Sequence, residues 1–400
     1  MTPTGYGLFA HRRFRDFFSA NLFFNLCLVM LLLGVAWTMT SLTDSPVLVS
    51  LVQTMMSLPF LFFAIPAGVA ADSFGHRAVL FASQFWLLAV LTLMGVIALT
   101  GGLEFTPALL LAMTFLVGVG VVVQQTAWKP FIQDLVPKES LVEAISFNSL
   151  STDFGRAIGP VLAGYLMGLF GPAVVLFTSA ASQLGMIATL RTVPGRRDPG
   201  AARPGRRSLG EASRLVRRSP RLYGPMLRCA LLMAPCGAVM GLLPLEAKEN
   251  IQTGPIGYGG LLAALGLGTA AGGALMPVLR RRVSLGMLTT VALTLFALAV
   301  IGVSRWDSMV LDAGFLLVLG LTWSLLSIAH QFAIQFAAPE DMRGLVSSFY
   351  ALVLQGSLAG GSLIFGVLAH YTGVSRSILI AGLLAMSGLL LVRRYPLTLE

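Results

Sequence analysis

A succession of long apolar runs leaves this chain few folding options. A helix needs about 20 apolar residues to cross the hydrocarbon core of a bilayer. Runs of that length lie near 17–41, 47–70, 78–100, 106–127, 141–168 and 172–191, then near 222–245, 256–279, 284–304, 309–335, 342–369 and 374–392. Inside lipid every backbone N–H and C=O must find an internal partner, so such runs form helices or a closed barrel. These are too long and too unalternating for barrel strands. The expected fold is therefore all-α and integral to a membrane, with twelve transmembrane helices in two groups of six. Composition agrees, because 11% of the residues are charged, against about 25% in a soluble domain. The first run is too long for a signal-peptide core and leads straight into further spans, so it reads as mature structure.

The two groups are separated by a basic stretch. Ten arginines from Arg191 to Arg221 face only Asp198 and Glu211 among interspersed Pro and Gly. This stretch cannot cross a bilayer, and it divides the chain into a bundle at 1–192, a linker at 193–221 and a bundle at 222–400. Ser208 followed by Glu211 is a capping-box pattern, and Leu209, Ala212, Leu215 and Val216 form an apolar stripe opposite Arg214, Arg217 and Arg218. A short interfacial helix on an anionic leaflet is expected there, with a plain solvated linker as the alternative. A cytoplasmic linker places Arg12, Arg13, Arg15, Arg77, Lys129, Lys138, the run Arg280 to Arg282, Arg343, Arg393 and Arg394 on its side. Only Lys248, Arg305 and Arg376 then fall opposite. The bias predicts that both termini are cytoplasmic. The net charge of +10 is thus loop punctuation, and no groove with interleaved aromatics suggests nucleic acid. Cys27, Cys229 and Cys236 lie in apolar runs with no metal-ligand spacing, so no metal, cofactor or disulfide is expected. No nucleophile–base pattern suggests an enzyme.

The halves repeat. A shift of 202 positions lays 137–171 on 339–373 without a gap, matching Pro137 to Pro339, Ser146-Phe147 to Ser348-Phe349, and Gly159, Gly164 and Gly171 to Gly361, Gly366 and Gly373. Upstream, Gly118, Ile132 and Gln133 meet Gly320, Ile334 and Gln335. A parallel duplication of a six-helix unit follows, the arrangement of a two-lobed secondary transporter.

Between the second and third spans stands Gly68-Val-Ala-Ala-Asp72-Ser-Phe-Gly75-His76-Arg77. With the six-plus-six repeat, this resembles the major facilitator superfamily, whose corresponding loop carries Gly-x-x-x-Asp-x-x-Gly followed by two cations. The resemblance implies a gate on the linker side, at which Asp72 accepts from a helix N-terminus and Arg77 pairs with a carboxylate when that side closes. His76 departs from the pattern. The second half reads Ala274-Leu-Met-Pro277-Val-Leu-Arg280 with no echo, so gating contacts should be unequal. In the fifth span, Gly155-Arg-Ala-Ile-Gly159-Pro160-Val-Leu-Ala163-Gly164 is similar to the superfamily's exporter segment, and its small residues permit close helix approach. The wording of 134–164 looks closest to the transmembrane secretion effector branch, with enterobactin-exporter-like and macrolide-efflux-like members. The lysophospholipid transporter branch is a neighbour.

Ionisable residues in a span are costly and are functional candidates. Asp153 and Arg156 lie one turn apart and can neutralise each other, while His330 is the one histidine in a span. Each can carry a proton, bind substrate or simply hold helices together. Arg228, Glu246 and Asp312 are expected near the interfaces, where long side chains reach water. Asn25, Gln124 and Gln331 head a set of amides, some of which should line a cavity, with Phe24, Trp37, Trp128, Met233 and Trp323 as candidate apolar walls. The expected function is alternating-access export of an amphipathic small organic molecule of siderophore or drug type, by proton-coupled antiport, from a monomer in the bacterial cytoplasmic membrane. A lipid or lysolipid transporter of the same fold, and a non-transporting sensor or scaffold, are the alternatives.

Overall fold

The computed structural model describes residues 12–100, 106–136, 140–192, 209–339 and 342–394. These form α1 (Arg12–Leu42), α2 (Pro46–Ser57), α3 (Pro59–Phe74), α4 (His76–Thr100), α5 (Pro107–Leu135), α6 (Leu141–Phe170) and α7 (Pro172–Thr192) in the first half. A linker helix α8 (Leu209–Arg218) follows. The second half contains α9 (Pro220–Leu245, prolonged by a π-helical turn, Glu246–Asn250), α10 (Pro255–Arg282), α11 (Leu285–Val303), α12 (Met309–Ala337), α13 (Arg343–Thr372) and α14 (Val374–Arg394).

Proline opens α2, α3, α5, α7, α9 and α10, where a missing N–H costs nothing and the fixed φ suits the first turn. The second span, expected in one piece, is interrupted at Leu58 because Pro59 cannot donate to the preceding turn. Counting α2 and α3 as one crossing, ten of the described spans are long and apolar enough to cross a membrane. The remaining two expected crossings are α6, 30 residues long, and α14, 21 residues long. Asp153 and Arg156 dilute the apolarity of α6.

The repeat is visible in the packing. Gly159 of α6 lies 3.0 Å, measured from an ideal Cβ, from the carbonyl oxygen of Leu26 on α1, and its repeat partner Gly361 of α13 abuts Ala234 on α9. Gly118 on α5 meets the Met56 carbonyl of α2, while Gly320 on α12 meets Leu265 of α10. Gly164 presses on Pro255 and Ile256 at the start of α10, and Gly366 on Pro46 and Ser50 at the start of α2. Gly171 and Gly373 end α6 and α13 with φ of 79° and 92°, a region glycine enters without Cβ strain. The two halves are therefore pseudo-symmetric bundles in an all-α fold, and the third glycine pair joins one to the other.

The ends of the molecule differ. One continuous apolar core joins both lobes toward the remote end, from Met30, Val49 and Val121 to Met233, Leu243 and Phe365, and runs on through the second lobe to Val216, Leu222 and Ile334 at the linker end. At the linker end, the first lobe has a separate core around Phe14, Phe17, Phe24, Leu80 and Phe131.

In α8 the described part of the apolar stripe packs on protein. Val216 is buried, Leu215 packs beside it, and the helix rests on α9 and α13, while Arg214, Arg217 and Arg218 are exposed. Burial against two neighbouring helices removes the same apolar area from water without requiring lipid. Ser208 of the capping box lies outside the described residues.

Candidate transport pathway

Lobe-to-lobe contact is made by α6 with α10, by α2 with α9 and α13, and by smaller meetings of α1 with α9 and α3 with α13. At the remote end the seal is dense. Ser362 Oγ donates to the Ser50 carbonyl at 2.7 Å and Thr54 Oγ1 to the Ala359 carbonyl at 3.1 Å. Trp37 stacks on Tyr258 with centroids 5.6 Å apart. Lys248 Nζ donates to Asp44 Oδ1 at 2.8 Å and to the Thr40 carbonyl, tying the turn after α9 to the turn after α1. At the linker end, Gly68, Gly75 and Gly344 have open space where a Cβ would sit, and Asp72, Leu150, Phe154, Gln331 and Gln335 are exposed. The described interlobe contacts thus concentrate at the end remote from the linker.

The exporter-like segment of α6 is what lets one helix serve both lobes. Gly155 and Gly159 face Asn25, Leu26 and Val29 of α1 in their own lobe. Around the next turns, Gly164 and the Pro160 carbonyl meet α10, where Gly259 stands opposite them, and the Arg156 carbonyl meets Gly266. Small residues on both sides allow backbone-to-backbone approach that larger ones would prevent. Gly268 and Gly272 pack on α12, so this glycine series on α10 is helix packing, as its sequence context implies.

Among the residues expected to gate, Asp72 Oδ1 stands 4.0 Å from His76 Nε2 within the same segment. Arg77 Nε donates to the Leu190 carbonyl at 2.9 Å and its Nη2 to that of Arg191 at 3.4 Å, with the guanidinium 5.4 Å from the Phe81 ring centroid. Arg77 thus caps the C-terminus of α7 in its own lobe, where carbonyls collect negative potential. These contacts all lie within its own lobe.

Asp153 and Arg156 interact electrostatically across one turn of α6. His330 is buried elsewhere, inside the second lobe. Its Nδ1 lies 2.6 Å from the Leu326 carbonyl, and Nε2 faces a small cavity shared with Arg228, Leu232, Leu293 and Ala385. The structure therefore does not bring Asp153 and His330 together. Asn25 belongs to a network missed from the sequence: Asn21 Nδ2 donates to Asn148 Oδ1 at 3.1 Å, Trp128 Nε1 donates to the same oxygen at 3.0 Å, and Asn25 Nδ2 donates to Asn21 Oδ1 at 3.0 Å and to Ser151 Oγ at 3.3 Å. Asn148 and Ser151 share a helix face, but nothing local announces their partners on α1 and α5.

The candidate walls divide. Phe24 and Met233, at 4% and 0% exposure, are core residues and line no opening. Trp128 is held by Asn148 and by stacking on Phe17 at 5.2 Å. Trp37 belongs to the remote seal. Trp323 is half-buried against the second-lobe core, Gln331 is exposed, and Gln124 is buried in the first lobe. Arg228, Glu246 and Asp312 correct the snorkelling expectation: they are 4%, 1% and 0% exposed, because neighbouring helices close over their tips.

Residues 3–399 match the family described as transmembrane secretion effectors. The chain belongs to that family. It is a multi-pass membrane transporter of the major facilitator type. Enterobactin exporter EntS of Escherichia coli O127:H6 is 28% identical over 273 residues, covering 66% of this chain and 65% of the exporter, just under two thirds of that relative's length. Among solved structures, a bacterial homolog of the human lysosomal transporter Spinster, inward-facing and unoccupied, aligns with a TM-score of 0.69 at 15% identity, covering 94% of this chain and 98% of that one. The nucleoside transporter NupG aligns with a TM-score of 0.78 at 12% identity, covering 96% and 99%. At these identities the structures speak for the fold alone. This family member thus has exporters among its relatives and transporters among its structural neighbours.

Proposed function

We propose that the chain exports an amphipathic small organic molecule, of siderophore or drug type, across the cytoplasmic membrane of a bacterium by alternating access coupled to proton influx. The linker end and both termini are cytoplasmic in this reading, and the protein works as a monomer embedded in lipid. The observation that carries it is the asymmetric closure. Interlobe contacts concentrate at the remote end, while the amides Gln331 and Gln335 and the apolar Leu150 and Phe154 are exposed in the linker-side halves of their helices. An exporter in this state receives its cargo from the cytoplasm. Apolar surface with scattered amides, and among the described residues no carboxylate or guanidinium cluster in these helix faces beyond Asp153 and Arg156, suits neutral or weakly charged amphipathic molecules. Asp72 and Arg77 are the proposed linker-side gate, and Asp153 and His330 are the first candidates for the coupled proton.

The test is flux in proteoliposomes with an imposed pH gradient, using a labelled catecholate siderophore, a macrolide, a lysolipid and a sugar. Uphill movement of the siderophore or macrolide against proton entry is expected. Movement of the sugar alone, or of lysolipid alone without a pH gradient, would refute the assigned substrate class. Asp153→Asn and His330→Gln are then expected to separate substrate exchange, which persists, from pH-driven accumulation, which is lost in whichever variant removes the coupling group.

A further inference from the structure

Beneath the remote seal lies a polar cluster that the pathway does not use. Glu246, at the start of the π-helical turn ending α9, is 1% exposed. It accepts a hydrogen bond from Asn250 Nδ2 at 2.8 Å and two weaker ones from Ser375 Oγ at 3.4 Å. Asp312, in the first turn of α12, is 0% exposed, and neither carboxylate oxygen has a hydrogen-bond partner. α9 and α12 pack on each other and bring both carboxyls to the remote end, with Glu249 in the same π-helical turn as Glu246 and Asp307 just before α12. Among the described cations at this end, Lys248 is bound to Asp44 and the Thr40 carbonyl across the lobe boundary, and Arg305 and Arg376 are exposed. His370, at the end of α13, stacks edge-on with Tyr371.

A buried carboxylate without a partner is expensive, and two of like charge in one apolar site are more so. A proton on one of them removes most of that cost. The surrounding backbone is also unusual. A π-turn widens α9 at Glu246, a feature that often marks functional sites, and Gln252 just beyond it is a non-glycine residue with φ of 53°. The same turn carries Lys248, so anything that moves Glu246 moves the seal.

We propose that Glu246 and Asp312 form a proton-binding pair under the remote gate, holding at least one proton between them while that gate is closed, and that loss of the proton opens it. The closed state binds the proton and the hydrated open state does not, so closure is favoured at low pH and is lost as pH rises. No covalent step is involved. In the orientation proposed above, a proton arriving from outside closes the gate behind it, as proton-driven export requires. The proposal deepens that reading, but its test follows conformation and protonation rather than flux, so the two can fail separately.

Two measurements decide it. Infrared difference spectra of the reconstituted protein are expected to contain a carbonyl band from a buried protonated carboxylic acid at neutral pH, lost in Asp312→Asn or Glu246→Gln. A spin-label pair at Leu42 and Ile256, exposed on opposite lobes at the remote end, reads gate opening. In the native protein its open fraction should rise with pH by up to about tenfold per unit for one linked proton. In the near-isosteric Glu246→Gln/Asp312→Asn double variant it should stay low and independent of pH. Ser375→Ala, which removes a donor to the Glu246 carboxylate, should move the midpoint to higher pH and serves as the variant least disturbing to folding. The absence of the acid band, or a native pH response in the double variant, would overturn the pair. A gate that follows sodium and ignores pH would overturn the proton.

Discussion

Consider Gly366→Val, placed where α13 meets α2. A Cβ on residue 366 would sit 2.6 Å from the Ser50 Cβ and 3.2 Å from the Pro46 carbonyl oxygen. Both are closer than ordinary van der Waals contact, and the obstacle at Pro46 is backbone that cannot rotate away. The helices must separate. Overpacking of this kind costs about 1–3 kcal/mol, and stretching the adjacent Ser362-to-Ser50 hydrogen bond, 2.7 Å long, adds about 1 kcal/mol. These contacts exist only while the remote end is closed, so the cost of about 2–4 kcal/mol falls on one state and shifts the populations by more than tenfold. The assay is a pair of distance measurements by pulsed spin-label spectroscopy. One pair, at Leu42 and Ile256, spans the remote end, and another, at Phe74 and Phe336, spans the linker end; all four residues are exposed. The first distance should lengthen and the second shorten. Distributions identical to those of the native protein at both ends would show that the glycine contact does not control the gate, and would refute the reasoning.

Asn148→Ala leaves the half-buried Trp128 Nε1 without its acceptor and Asn21 Nδ2 with only the 3.4 Å contact to Ser151 Oγ. It should lower stability by about 1–3 kcal/mol, and a melting temperature within error of the native value would count against the network. Lys248→Met breaks the partly exposed tie to Asp44 and should weaken remote closure by only about 0.2–1 kcal/mol, less at high salt. A collapse of the closed state would mean the tie is worth more than surface geometry allows. Asp72→Asn should leave thermal stability unchanged while reducing the linker-closed population, and unchanged accessibility at both ends would remove Asp72 from the gate. Cysteines introduced near Gly200 and Gly257 should label from opposite faces of intact cells, and same-face labelling would overturn the orientation.

The sequence alone determined the broad architecture, for physical reasons local to the chain. Runs of about 20 apolar residues have one stable form in lipid. The 202-residue repeat in Gly118, Gly159, Gly164 and Gly171 fixed a two-lobed arrangement, because these glycines mark where backbones touch. Proline marks the starts of α2, α5, α7, α9 and α10, but Pro66, Pro130, Pro160, Pro235 and Pro277 lie inside helices, and the cut at Pro59 was missed inside a run that looked continuous. Only the tertiary structure decided which polar groups are satisfied. Phe24 and Phe23 are adjacent in the sequence, yet one is buried and the other is 41% exposed, because a helix turns them to different neighbours. Asn148 finds Asn21 and Trp128 from two other helices. Glu246 and Asp312 sit near the ends of their spans, which suggests reach to water, but α9, α12 and α14 close over them together. Burial is a property of what lies across the packing interface, and a one-dimensional pattern records only the side of the helix a residue is on.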